Sequence, residues 1–149
     1  MRIDIADEQD ANPVDEALCE RLTKASLKIA HDFGFDQGEI SIAILSDEAI
    51  RKLNAEFLQH DWATDAITFP FEANEGRLEG EIVVSRETAD RVAADLPWTA
   101  DDELLLYVIH GMLHLVGFDD QDDESCREMK EEEKTYLLQF GVPGAENHE

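Results

Sequence analysis

The run LLLYVIHGMLHLV, Leu104 to Val116, constrains the fold more than any other stretch of this chain. Wound as a helix it is apolar nearly all round, and such a helix has to be enclosed by other elements. It is also shorter than the ~20 residues needed to cross a bilayer. A central, buried helix inside a globular domain is therefore expected. Thr99 and Asp102 are spaced as a capping box that opens it, and Gly117 supplies its stop. Projected at 100° per residue, Leu104, Leu105, Val108, Met112, Leu115 and Val116 fall opposite His110 and His114.

The elements that would enclose it can be read in order. Arg2 to Ile5 alternates as a short strand. Asn12 and Pro13 read as the N-cap and first position of a helix carrying Val14, Leu18, Leu22, Ala25, Ile29 and Phe33 at helical spacing, stopped by Gly34. EISIAIL, Glu39 to Leu45, sets Ile40, Ile42 and Ile44 on one side of a strand. Ser46 then caps a helix with Ile50, Leu53 and Phe57 inward, followed by the polar stretch LQHDWATD. AITFPF, Ala66 to Phe71, reads as a strand that its proline assigns to an edge or an end. A polar, flexible loop is expected from Glu72 to Gly80, then the strand EIVVS, then a helix capped by Ser85 with Ala89, Val92 and Leu96 inward. Cys126, Met129, Glu133, Tyr136, Leu137 and Phe140 give a closing amphipathic helix, after which GVPGAENHE is expected to fray.

With 149 residues, 43% of them hydrophobic and 32% charged, the chain has the size and composition of one globular domain, taken as residues 1–149. The acidic start MRIDIADEQD lacks the apolar stretch of a secretory signal, which points to the cytoplasm and away from a membrane. Cys19 and Cys126 lie far apart with no CxxC, so a disulfide scaffold or thiolate cluster is not expected. Thirty-six acidic residues against twelve Lys plus Arg give a net charge of -24. Such a surface repels phosphate at long range, so any contact with RNA must be local or carried by a partner.

Residues four apart on a helix point the same way, so His110 and His114 can present two imidazole nitrogens to one ion. Spacing alone leaves open a plain pair of histidines. Gly117 lets the chain turn back, and Asp119 and Asp120 then arrive where a third ligand is wanted. Two imidazoles and a carboxylate are a recognised zinc set with further positions open to water. The HxxxH spacing also occurs in zinc peptidases, but the residue after the first histidine, their general-base glutamate, is Gly111 here. Glycine costs about 1 kcal/mol in a helix interior. It serves either to leave space over a metal or to let the helix pack closely. Two histidines and a carboxylate also form the facial triad of non-haem iron oxygenases, whose jelly-roll barrel needs more strands than this chain has.

Taken together, HGMLHLVGFDD resembles the signature of the YbeY family of bacterial endoribonucleases and ribosomal RNA maturation factors, written HGxLHLxGYDH. LNAEF (Leu53 to Phe57), TDAITFPFE (Thr64 to Glu72) and GEIVVS (Gly80 to Ser85) resemble that family's LNxxY, TDVLSFPxE and GDIVIS segments, in the same order. The resemblance implies an α+β fold: a central four-stranded mixed sheet, about five flanking helices, and a metal cleft on the HxxxH helix. It implies one divalent ion, zinc or else manganese, held by His110, His114 and Asp120, with Asp120 in the place of the family's third histidine. Asp119 matches the family's own aspartate and would support a ligand or itself ligate. The implied activity is hydrolytic cleavage of single-stranded ribosomal RNA in small-subunit maturation and ribosome quality control, with the small subunit or assembly factors as partners and no role on DNA. The family's arginine after LNxxY, which meets phosphate, is Leu58 here, with His60 and Arg86 as cations that could substitute. The alternative reading is a non-catalytic assembly factor in which the ion only pins the Gly117 loop to the helix.

Overall fold

The structure, a computed structural model, describes residues 1–58 and 66–145, and the side chains of residues 57 and 58 are not part of that description. The stretch from residue 59 to 65, the Phe57 position in its helix seam, and the comparison of Leu58 and His60 with the phosphate-contacting arginine therefore lie outside the described residues.

Nine elements follow one another: β1 (Arg2–Asp7), α1 (Glu16–Asp32), β2 (Gln37–Leu45), α2 (Asp47–Leu58), β3 (Ala66–Asn74), β4 (Arg77–Ser85), α3 (Arg86–Ala93), α4 (Ala100–Leu115) and α5 (Asp123–Gln139). The strands form one sheet in the order β1-β2-β4-β3. β1, β2 and β4 run parallel, while β3 pairs with β4 antiparallel, so the sheet is mixed and the expected α+β architecture is present. β3 is an edge strand, and its register shifts between Pro70 and Glu72, where proline has no N–H to give the ladder.

Alternation along the strands divides the core in two. Ile40, Ile42, Ile44, Leu78, Ile82 and Val84 join Leu18, Leu22, Ala25 and Ile29 of α1 and most of α4 in the main cluster. Leu45 and Val83, with the other parity, pack with Ile67 and Ile50 in a smaller cluster to which Leu53 of α2 is added. The main cluster encloses α4, as its all-round apolar character requires: Leu104, Leu105, Val108, Ile109, Met112 and Leu113 are buried completely. No helix of the described residues is long and apolar enough to cross a membrane.

Several local expectations are corrected. Helix α1 starts at Glu16, with Asp15 as its cap accepting from the Leu18 N–H at 2.8 Å. Asn12 is otherwise engaged: its carbonyl accepts from Arg86 Nε at 3.0 Å and its amide donates to Asp90. The loop expected from Glu72 to Gly80 is instead a hairpin, with β3 and β4 paired out to Asn74 and Arg77. Glu75 and Gly76 turn it with φ of 50° and 82°, the two positive values that match strand twist. Charged residues on the outer face of β4 hide its alternation, in which Leu78, Gly80 and Ile82 point inward and are buried.

Helix α3 ends at Ala93 and buries Ala89 and Ala93, while Val92 and, beyond the helix, Leu96 are more than a third exposed. The inward spacing begins at Arg86, which takes a core position, 2% exposed, with Nη2 donating to Asp101 at 2.6 Å. Arg86 ties the Asn12 segment, α3 and the start of α4 together and so is no surface substitute for a phosphate contact. Nor does the tail fray through residue 145. Gly141, at φ 77°, reverses the chain so that Val142 N–H returns to the Leu137 carbonyl, and Val142 and Ala145 are buried.

Candidate metal centre

The centre is built on α4, and its capping box fixes where that helix begins. The Thr99 side chain accepts from Asp102 N–H, and the Asp102 carboxylate accepts from Thr99 N–H, each at 3.1 Å. One face of α4 lies on the sheet. A Cβ added at Gly111 would stand 2.8 Å from Ile82 Cγ2, and one added at Gly80 would stand 2.8 Å from Leu115 Cδ2. Gly111 is therefore accounted for by close approach of helix to strand, and the alternative of space kept over a metal is set aside. About 100° round the helix from Gly111 comes His110. His110 and His114 are half-buried, with rings 4.6 Å apart.

Gly117, at φ 117°, ends α4 and sends the chain back along it. Phe118 N–H donates to the Leu113 carbonyl, and the Phe118 ring packs edge-on against Phe33, the C-cap of α1, 5.3 Å between centroids. The loop is thus anchored just before Asp119 and Asp120. Asp120 Oδ2 comes to 3.9 Å from His110 Nε2. His110, His114 and Asp120 each offer a ligand atom, and these atoms lie within 4.8 Å of one another.

The hydrogen bonds around the rings decide what the pair can do. His110 Nδ1 faces a Glu133 carboxylate oxygen at 2.6 Å, and His114 Nδ1 faces the Phe118 carbonyl at 3.1 Å. Both partners accept, so both Nδ1 atoms carry hydrogen. In the neutral rings the two Nε2 lone pairs then face each other, 3.1 Å apart. Their repulsion is relieved by a proton shared between them or by a cation bound to both. Two nitrogens bound tetrahedrally to one zinc at about 2.0–2.1 Å would stand about 3.3 Å apart, close to what is found. Burial, and after it the neighbouring His110, push the His114 pKa below its ordinary value, which favours the neutral, ligating form. The Asp120 side chain is 47% exposed, so the solvent side of the group is open.

Asp119 has a different local role. Its Oδ1 accepts from Gln121 N–H at 3.3 Å, a turn contact within the loop, and it is outside the convergent group. Asp120→Asn should therefore weaken divalent-metal binding, since an amide is a poorer donor than a carboxylate, and Asp119→Asn should weaken it less. Titration of both variants with zinc would show this, and the reverse ranking would move the ligand role to Asp119.

One residue of the site was read from sequence only as part of a helix seam. Glu133 sits on the buried face of α5 with Met129, Tyr136 and Leu137, and it is 5% exposed. A carboxylate at an inward helical position was the available signal, because such a group has to find a partner. Beside the histidines opens a cleft of about 210 Å³ lined by Leu106, Tyr107, Met129 and Cys126, with Lys130 and the carboxylates of Glu103, Asp120 and Glu133. Cys126 and Cys19 are free thiols, as their separation in the sequence implied.

A family model described as Endoribonuclease YbeY matches residues 4–141. An Endoribonuclease YbeY of Rhodopirellula baltica is 42% identical over 123 residues, which is 81% of this chain and 63% of that protein. The chain thus spans less than two thirds of that relative's length. For an Endoribonuclease YbeY of Chlorobaculum parvum the identity is 36% over 135 residues, covering 91% of this chain and 92% of the relative. The solution structure of a Thermotoga maritima protein superposes with a TM-score of 0.65 at 30% identity, over 93% of this chain and 88% of that one. With a fold in common, a family model matched from strand β1 to the turn after α5, and a relative from Chlorobaculum parvum matched almost end to end, this chain belongs to the YbeY endoribonuclease family.

Proposed function

We propose that the chain is a single-domain, metal-dependent endoribonuclease that hydrolyses single-stranded ribosomal RNA during small-subunit maturation in the cytoplasm, with His110, His114 and Asp120 holding one divalent ion, zinc or manganese. The observation that carries the metal reading is the pair of Nε2 atoms facing each other at 3.1 Å while both Nδ1 atoms face acceptors. The relatives' name carries the reaction. A bound ion would supply Lewis-acid polarisation of a phosphoryl oxygen and a water of lowered pKa. The chain's own groups do the rest. His110 and His114 present their Nε2 atoms on one side of α4, Asp120 adds a charged donor from the solvent side, and the apolar floor of Leu106, Tyr107 and Met129 excludes water from one wall of the cleft.

A second reading has one observation in its favour. Three carboxylates line the cleft beside a single lysine among its described residues, which opposes a polyanion. In this reading the chain is a non-catalytic assembly factor whose ion pins the Asp120 loop to α4. An assay on a structureless RNA, with metal-stripped protein and added Zn(II) or Mn(II), separates the two. Cleavage that depends on metal and disappears in His110→Ala supports the nuclease; stoichiometric metal binding without cleavage supports the assembly factor.

A further inference from the structure

We propose that Glu133 is the positioning residue of this centre: from α5 it holds His110 as the Nδ1–H tautomer and so keeps Nε2 aimed at the ion. The inference rests on reading His110 and His114 as ligands. Glu133 occupies a position on α5 where the neighbours at helical spacing, Met129, Tyr136 and Leu137, are core residues. A leucine there would bury apolar surface at no electrostatic cost. A carboxylate at 5% exposure is instead expensive unless it meets a donor, and His110 Nδ1 lies 2.6 Å from its Oε2.

The two imidazoles are held unequally. His114 donates to a neutral backbone carbonyl at 3.1 Å, four residues on in its own loop. His110 donates across 23 residues of sequence to a charged acceptor at the shorter distance, the stronger kind of hydrogen bond. A carboxylate behind a ligating histidine fixes the ring's orientation and tautomer and raises the basicity of the nitrogen that faces the metal. Asp120, 47% exposed and 3.9 Å from His110 Nε2, is less constrained than the half-buried rings. The rigidity of the set thus comes from α4 and from α5 through Glu133. The same contact also joins α4 to α5, so a plain structural clip has to be distinguished from positioning.

Glu133→Gln and Glu133→Leu in the full chain do this. Glutamine is nearly isosteric and its carbonyl can still accept from Nδ1–H; leucine cannot accept at all. Zinc affinity, measured by chelator competition, should fall by about 10- to 100-fold in Glu133→Leu, in line with losses of such partners elsewhere, and by less in Glu133→Gln. Long-range proton–nitrogen spectra of the metal-free protein, recorded above the imidazole titration, should show His110 as Nδ1–H in the wild type and Glu133→Gln, and a shift toward Nε2–H in Glu133→Leu. A structural clip would change the melting temperature while leaving tautomer and affinity alone. His110→Ala is the reference. If it loses zinc while both Glu133 variants bind as the wild type does, the positioning role is wrong and the ligand set stands. If His110→Ala itself binds zinc normally, the ligand set is wrong and the role of Glu133 falls with it. Should Glu133→Leu fail to fold, Glu133→Met, which also cannot replace the carboxylate as acceptor, takes its place with the same two readouts: wild-type affinity and tautomer overturn the proposal, and reduced affinity with a shift toward Nε2–H supports it.

Discussion

Changing both His110 and His114 to alanine is expected to remove metal binding and, with it, the whole of the thermal stabilisation that added zinc gives the wild type. An ion that binds only the folded chain stabilises it by about 2.7 kcal/mol at a free concentration 100 times its dissociation constant. For a domain of this size each kcal/mol moves the melting temperature by about 2–4 °C, so the wild type should gain about 5–10 °C. The double variant should gain nothing. The comparison has to be the shift on adding zinc and not the melting temperature itself, because the substitution also leaves the buried Glu133 carboxylate without the His110 contact, which destabilises independently of metal. A full zinc-induced shift in the double variant would mean that the ion, if any, binds elsewhere on this strongly acidic surface.

The second large effect concerns Gly111. Placing glutamate there would recreate the HExxH pattern of zinc peptidases, yet the expected result is a collapse of stability with no new activity. The glycine is buried, and its missing Cβ would stand 2.8 Å from Ile82 Cγ2, a branched side chain with little freedom to move aside. Overpacking of this kind costs about 1–3 kcal/mol. Forcing a carboxyl between helix and sheet without a partner adds several more, against a total of about 5–15 kcal/mol for a whole domain. The melting temperature of Gly111→Glu should drop by about 10 °C or more, with loss of soluble yield. Gly111→Ala should lose far less, because alanine regains about 1 kcal/mol of helix propensity against a smaller clash. Both are measured by thermal denaturation. A Gly111→Glu protein of normal stability would show that position 111 opens on the metal side and not on the sheet.

These two cases mark the range of what could be read from residue order. The orientation of His110 and His114 together follows from a spacing of four, and the caps by Ser46, Ser85 and Thr99 follow from side chains that bond to a backbone N–H three residues on. The inward rows Ile40, Ile42, Ile44 and Leu18, Leu22, Ala25, Ile29 follow from strand and helix periods. Pro70 at a sheet edge follows from its missing donor. Each is a local rule, complete within one turn or one strand. Where two local signals compete, order along the chain is a weaker guide: Asn12 and Asp15 can both cap, and Asp15 does because Asn12 is held by Arg86 and Asp90 from α3.

By itself, then, the sequence determined most of the element types, the parity of the core rows, the two histidines on one helix face, the carboxylates that follow Gly117, and the likeness to the YbeY family. Only the tertiary structure decided that Arg86 is a buried tie and not a surface cation, that Gly111 serves the contact with Ile82, that residues 72–80 form a hairpin, and that Glu133 stands behind His110. The reason is the same in each case. A hydrogen bond or a close approach between residues far apart in sequence depends on how whole elements cross, and the crossing is set by the summed burial of two apolar faces, which no single residue or spacing encodes.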